Sequence, residues 1–144
     1  PMNFFFIGII HLLFNKSKII LCERNRMDNL YSIYRNFFPS RIDFSYDLDE
    51  LKFFENIYRE IISFWDQEKI AYHKIKYEEL VSDFESVVDR LFDYIEVETE
   101  ENCYNFFKNK RIVQTASLVQ VREPLFKTSL DTWKNYEKEL QILK

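Results

Sequence analysis

Ile19-Ile20-Leu21-Cys22-Glu23-Arg24-Asn25-Arg26-Met27-Asp28-Asn29-Leu30-Tyr31-Ser32 is the stretch that decides the fold. Its first four residues are apolar without alternation, which predicts a short strand over Lys18 to Glu23 in a parallel sheet covered on both faces. The polar run Glu23 to Arg26 turns the chain, and a helix is predicted from Met27 to Phe37, stopped by Pro39. A strand, a polar turn and a helix start aim backbone N–H groups and the positive end of a helix dipole at one spot, which suits phosphate. Arg24 adds a planar, bidentate guanidinium, and Ser32, on the second helical turn, adds a hydroxyl. From spacing alone, the alternative is a solvated arginine and a surface serine.

Upstream, Asn3 to Phe14 is apolar on nearly every side and predicts a buried helix, with His11 as a core histidine. That run is too short to span a bilayer and has no basic leader, so no membrane span is expected. Downstream, Leu48, Leu51, Phe54, Tyr58, Ile62 and Trp65 recur at helical spacing, predicting a long amphipathic helix from Leu48 to Asp66 that opens with Asp47-x-x-Glu50. Ile70 to Lys76 alternates as a second strand and leads into Tyr77-Glu78-Glu79-Leu80. Ser82-x-x-Glu85 reads as a capping box opening a helix to Ile95. A shorter helix is expected through Cys103, Phe106 and Phe107, and another from Asp131 to Leu143. The fold class is therefore α/β, mostly helical with about two parallel strands, in a single domain over residues 1–144 without an internal boundary.

Composition narrows the chemistry. The 144 residues include a single glycine, Gly8, so no G-x-G-x-x-G or G-x-x-x-x-G-K-[ST] phosphate loop can be written within them. A hydrophobic content of 47% supplies ample core and excludes disorder. The formal net charge of −4 denies the chain the broad positive footprint of a nucleic-acid binder. Cys22 and Cys103 form no Cys-x-x-Cys pair and read as buried thiols in a reducing compartment, which makes the expected location cytoplasmic. His73 has no carboxylate or imidazole partner placed for a triad or a zinc site, and no metal is expected. The cations gather instead in Lys108 to Lys127, where Lys108, Lys110, Arg111, Arg122 and Lys127 oppose only Glu123 among many hydroxyl and amide groups. A connection of that length is either functional or disordered, the plainer alternative being an exposed loop with ordinary surface charge.

Three segments in the same order resemble the bacterial sulfotransferase family, whose members are often fused to tetratricopeptide repeats and are distantly similar to protein-tyrosine sulfotransferases. They are Ile19 to Tyr34, Tyr77-Glu78-Glu79-Leu80, and Lys108 to Ser129 followed by Trp133 to Glu137. The resemblance implies sulfuryl transfer from 3′-phosphoadenosine-5′-phosphosulfate to a hydroxyl-type acceptor, with adenosine 3′,5′-bisphosphate as product. It gives Arg24 and Ser32 the nucleotide's 3′-phosphate and sets Tyr77 beside the nucleotide. It also places Ser117, Gln120, Arg122 and Lys127 around the cofactor, in a loop that folds over it.

The resemblance further implies elements ahead of the region seen here: a glycine-containing 5′-phosphosulfate loop, an acid/base residue, and a lysine before a Pro-x-Asn-Phe segment. This chain opens on Pro1-Met2-Asn3-Phe4. The expectation is thus a C-terminal portion of a P-loop-like sulfotransferase fold, a partial domain that keeps the 3′-phosphate half of the site and no catalytic residue. The competing reading is a non-catalytic helical module that self-associates, or pairs with an N-terminal partner, through an exposed sheet edge.

Overall fold

A computed structural model describes residues 2–38, 42–109, 123, 125 and 130–144. A 3₁₀ turn over Asn3–Phe6 runs into α1 (Ile7–Leu13). Then come β1 (Ile20–Glu23), α2 (Arg26–Arg35), α3 (Leu48–Gln67) and β2 (His73–Lys76). The series continues with α4 (Tyr77–Ser82), α5 (Phe84–Ile95) and the single turn α6 (Glu101–Tyr104). β1 and β2 pair in parallel, with Ile20 opposite His73 and Glu23 opposite Lys76. The fold is α/β, mostly helical around this small sheet, in line with the sequence.

The helix starts follow capping chemistry. Asn25 caps α2 by accepting from the N–H groups of Met27 and Asp28, and Asp47 caps α3 by accepting from those of Asp49 and Glu50. The predicted box at Ser82 does not form. The Ser82 hydroxyl bonds back to the carbonyls of Glu78 and Glu79, closing α4, and Asp83 precedes α5 without a side-chain cap.

Two apolar cores flank α3. One gathers Met27, Leu30 and Tyr31 of α2, Leu51 of α3, and Leu140 and Leu143 near the C-terminus. The other gathers Phe4, Ile7, Leu21 and Ile62, with Trp65, Phe54 and Tyr58 packed against it. Gly8 belongs to this second core. A Cβ there would lie 2.6 Å from the Trp65 ring, so α1 can approach α3 this closely only with glycine at the crossing. The Trp65 indole N–H donates to the Phe4 carbonyl at 2.8 Å and fixes the ring in place.

Several expectations are corrected. The segment Asn3 to Phe14 is not buried all round: Leu12, Leu13 and Phe14 are 81%, 71% and 62% exposed, and His11 is a surface residue. β1 is covered on one face, since Leu21 is buried while Ile20 and the Cys22 thiol are exposed. The C-terminal stretch is not an α-helix but two 3₁₀ turns, Thr132–Tyr136 and Gln141–Leu143. There the Leu140 and Leu143 side chains satisfy the core without a continuous helical ladder.

Candidate functional site

β1 ends at Glu23 and β2 at Lys76, so the parallel register brings the next residues, Arg24 and Tyr77, side by side at the carboxyl end of the sheet. The Arg24 guanidinium carbon lies 4.9 Å from the centre of the Tyr77 ring, a cation–π contact that fixes the planar group. A cleft of about 270 Å³ opens there, lined by Glu23, Arg24, Asn25, Lys76 and Glu78. Open parallel sheets take their ligands at this carboxyl end.

The turn between β1 and α2 is already hydrogen-bonded. Glu78 Oε1 accepts the Asn25 N–H at 2.8 Å, while Asn25 Oδ1 accepts from Met27 and Asp28 at 3.0 and 3.2 Å. The N–H groups of Asn25, Met27 and Asp28, expected to face a phosphate, serve the chain's own oxygens. The cleft gathers the Arg24 and Lys76 side chains and the start of α2 with Glu23 and Glu78, and the Lys76 ammonium lies 3.6 Å from Glu79 Oε1. Arg26 points elsewhere. Its Nε lies 3.1 Å from Glu55 Oε2 on α3, and Glu55 also accepts from Arg59, so this network holds α2 against α3.

Asp28, in the first turn of α2, is 2% exposed, and its Oδ2 accepts the N–H of Asp131 at 2.9 Å. The chain that follows the basic segment is thereby attached to α2. The Lys52 ammonium of α3 donates to the Ile142 carbonyl at 2.6 Å and holds the end of the same region.

The structure brings Arg24 and Tyr77 together but does not bring Ser32 to the cleft. It lies six positions after the first residue of α2, about 9 Å along the axis, and its hydroxyl accepts from the Asn36 amide at 3.3 Å. Ser117, Gln120, Arg122 and Lys127 lie outside the described residues. Asn25, Lys76 and Glu78 were not anticipated. Asn25 carried a readable signal, a capping residue directly ahead of an apolar helical repeat. Lys76 and Glu78 join the site through strand register, which a single sequence does not display.

A second cleft, of about 480 Å³, is lined by Glu101, Asn102, Asn105, Lys108 and Asn109. Among the described residues, no three His, Cys, Asp or Glu side chains are grouped to hold a metal ion. None of the described helices is long and apolar enough to cross a membrane.

Comparison with known proteins covers the segments that carry Arg24 and Tyr77. The model of the family described as "Sulfotransferase family" matches residues 1–101, which include both. A curated relative, an uncharacterized protein of Aquifex aeolicus, is 31% identical over 144 aligned residues that cover 97% of this chain. The chain spans 19% of that relative's length. No solved structure matches.

Proposed function

The chain belongs to the sulfotransferase family, and from that premise we propose that its Arg24 cleft receives the 3′-phosphate and adenosine portion of 3′-phosphoadenosine-5′-phosphosulfate. The observation that carries the proposal is the Arg24–Tyr77 pair at the carboxyl ends of two adjacent parallel strands. The donor set fits a phosphate monoester. Arg24 offers a fork of parallel N–H donors and Lys76 a compact point charge, with the start of α2 behind them. The aromatic face of Tyr77 holds the guanidinium plane, so less side-chain freedom is lost on binding. Glu78 keeps the Asn25 N–H occupied, which leaves the ligand to the side chains. When bound, the nucleotide supplies the sulfuryl group that passes to a hydroxyl-type acceptor.

In this reading Ser117, Gln120, Arg122 and Lys127 complete the cofactor site, while Ser32, which does not line the cleft, supports the helix behind it. Titration calorimetry with adenosine 3′,5′-bisphosphate tests it. Replacing Arg24 by Ala should weaken binding by about tenfold or more, the loss of a charge-assisted hydrogen-bonding group. Equal binding by Arg24→Ala overturns the assignment. The two free thiols and the nucleotide chemistry favour a reducing, cytoplasmic setting.

A second reading rests on the exposed apolar face of α1. Leu12, Leu13 and Phe14 stand in solvent, and the outer edge of β1 pairs with no strand among the described residues. Such a face suits another copy of the chain or a further polypeptide segment. Light scattering across a concentration series separates the two readings: a nucleotide-indifferent dimer favours association, and a monomer at high concentration removes it.

A further inference from the structure

Asn25 and Asp28 stand at the first and fourth positions of a capping-box pattern, in which the second residue would return its carboxylate to the N–H of the first. The box is split. The Asn25 side chain does its half by accepting from the Asp28 N–H, but the Asn25 N–H donates to Glu78, 53 positions away in sequence. The Asp28 carboxylate, released from that duty, accepts from Asp131, 103 positions away. One helix start is therefore bonded on one side to the Tyr77-Glu78 segment and on the other to the chain that emerges from the basic Lys108 to Lys127 segment.

We infer that Asp28 is a positioning residue for the nucleotide site: its buried carboxylate holds the chain at Asp131 against the start of α2, which follows Arg24 directly in sequence. The inference rests on the nucleotide reading above and extends it to a residue that touches no ligand. Three observations support it. Asp28 is 2% exposed, where a carboxylate is costly unless it is hydrogen-bonded. Its Oδ2 is committed to Asp131, and its Oδ1 is buried with no hydrogen-bond partner among the described residues. Asp131 has a φ of 60°, a left-handed turn at a residue other than glycine, at the point where the chain swings onto α2 to deliver Trp133, Leu140 and Leu143 to the core.

The test compares Asp28→Ala and Asp28→Asn with Leu143→Ala, a core change in the same cluster that leaves the Asp28–Asp131 bond in place. Two quantities are read: affinity for adenosine 3′,5′-bisphosphate by calorimetry, and amide exchange of the 130–136 stretch by mass spectrometry. Asp28→Ala should weaken nucleotide binding by about tenfold and speed exchange at Asp131, because the acceptor is gone. Asp28→Asn, which keeps an acceptor oxygen, should restore most of both. Leu143→Ala should lower the melting temperature while binding as the unaltered chain does. The inference fails if Asp28→Ala binds like the unaltered chain, or if it binds no worse than Leu143→Ala at matched stability. Rapid exchange at Asp131 in the unaltered chain also defeats it, and this can be read even if Asp28→Ala does not fold. Absence of nucleotide binding by a folded, unaltered chain refutes the nucleotide reading instead, and the exchange data then decide separately whether Asp28 holds Asp131.

Discussion

The two sides of α3 differ in how fully they are closed. Toward α2 and the C-terminal turns, Leu30, Leu51 and Leu143 are at most 1% exposed, and polar bonds from Asp28, Glu55 and Lys52 fasten the same contact. Toward α1, the core around Ile7 and Ile62 is sealed below but open above, where Leu12, Leu13 and Phe14 face solvent. The closed side carries the helix whose start borders the Arg24 cleft, so its packing fixes where that helix start lies. The open side leaves contiguous apolar side chains in solvent.

Four perturbations would break or sharpen that contrast. Leu51→Ala removes a fully buried side chain from the closed core and should cost about 3 kcal/mol in chemical denaturation, with little relaxation to refill the space. Gly8→Ala on the open side should cost about 1–3 kcal/mol by overpacking, since the added methyl meets the Trp65 ring at 2.6 Å; an unchanged midpoint would show that α1 slides freely over α3. Leu13→Gln, next to the open face, should change stability by less than about 0.5 kcal/mol while reducing any self-association seen by light scattering.

The smallest effect concerns Asp66, at the far end of α3. The Tyr72 hydroxyl, and then the Lys74 ammonium, hold its carboxyl below the usual carboxylate range. Because the folded value lies below the unfolded one, the stabilisation is complete above the ordinary carboxylate pKa of about 4 and is lost as pH falls through the depressed value. Asp66 is half exposed, so Asp66→Asn should remove less than about 1 kcal/mol, visible as a shallower loss of stability in acid.

Much of this was legible locally. The unbroken apolar run Ile19 to Cys22 announced β1, Asp47 announced the start of α3, and the order strand, turn, Arg24, helix announced the cleft. What the sequence concealed is what distant residues decide. Leu12 and Leu13 look like core because apolar periodicity says nothing of whether a neighbour is present to cover it. Ser82 looks like a cap until its hydroxyl is seen bonding to carbonyls behind it. Lys76 and Glu78 enter the site by register with β1, and Asp28 finds its partner across more than two thirds of the chain. Ser32 sat at the expected spacing, yet spacing along a helix did not bring it to the cleft.

The placement of the indoles has an optical consequence. The chain has two tryptophans, and the structure deals one to each core: Trp65 lies against Gly8 on the open side, and Trp133 packs with the α2 cluster under the Lys144 ammonium. Each core thus contains its own native fluorophore. In a chain carrying Trp133→Phe, emission reports the α1 side alone; in one carrying Trp65→Phe, it reports the α2-side core. Whether the two halves of this small fold melt as one cooperative unit can be read from whether the two emission curves coincide.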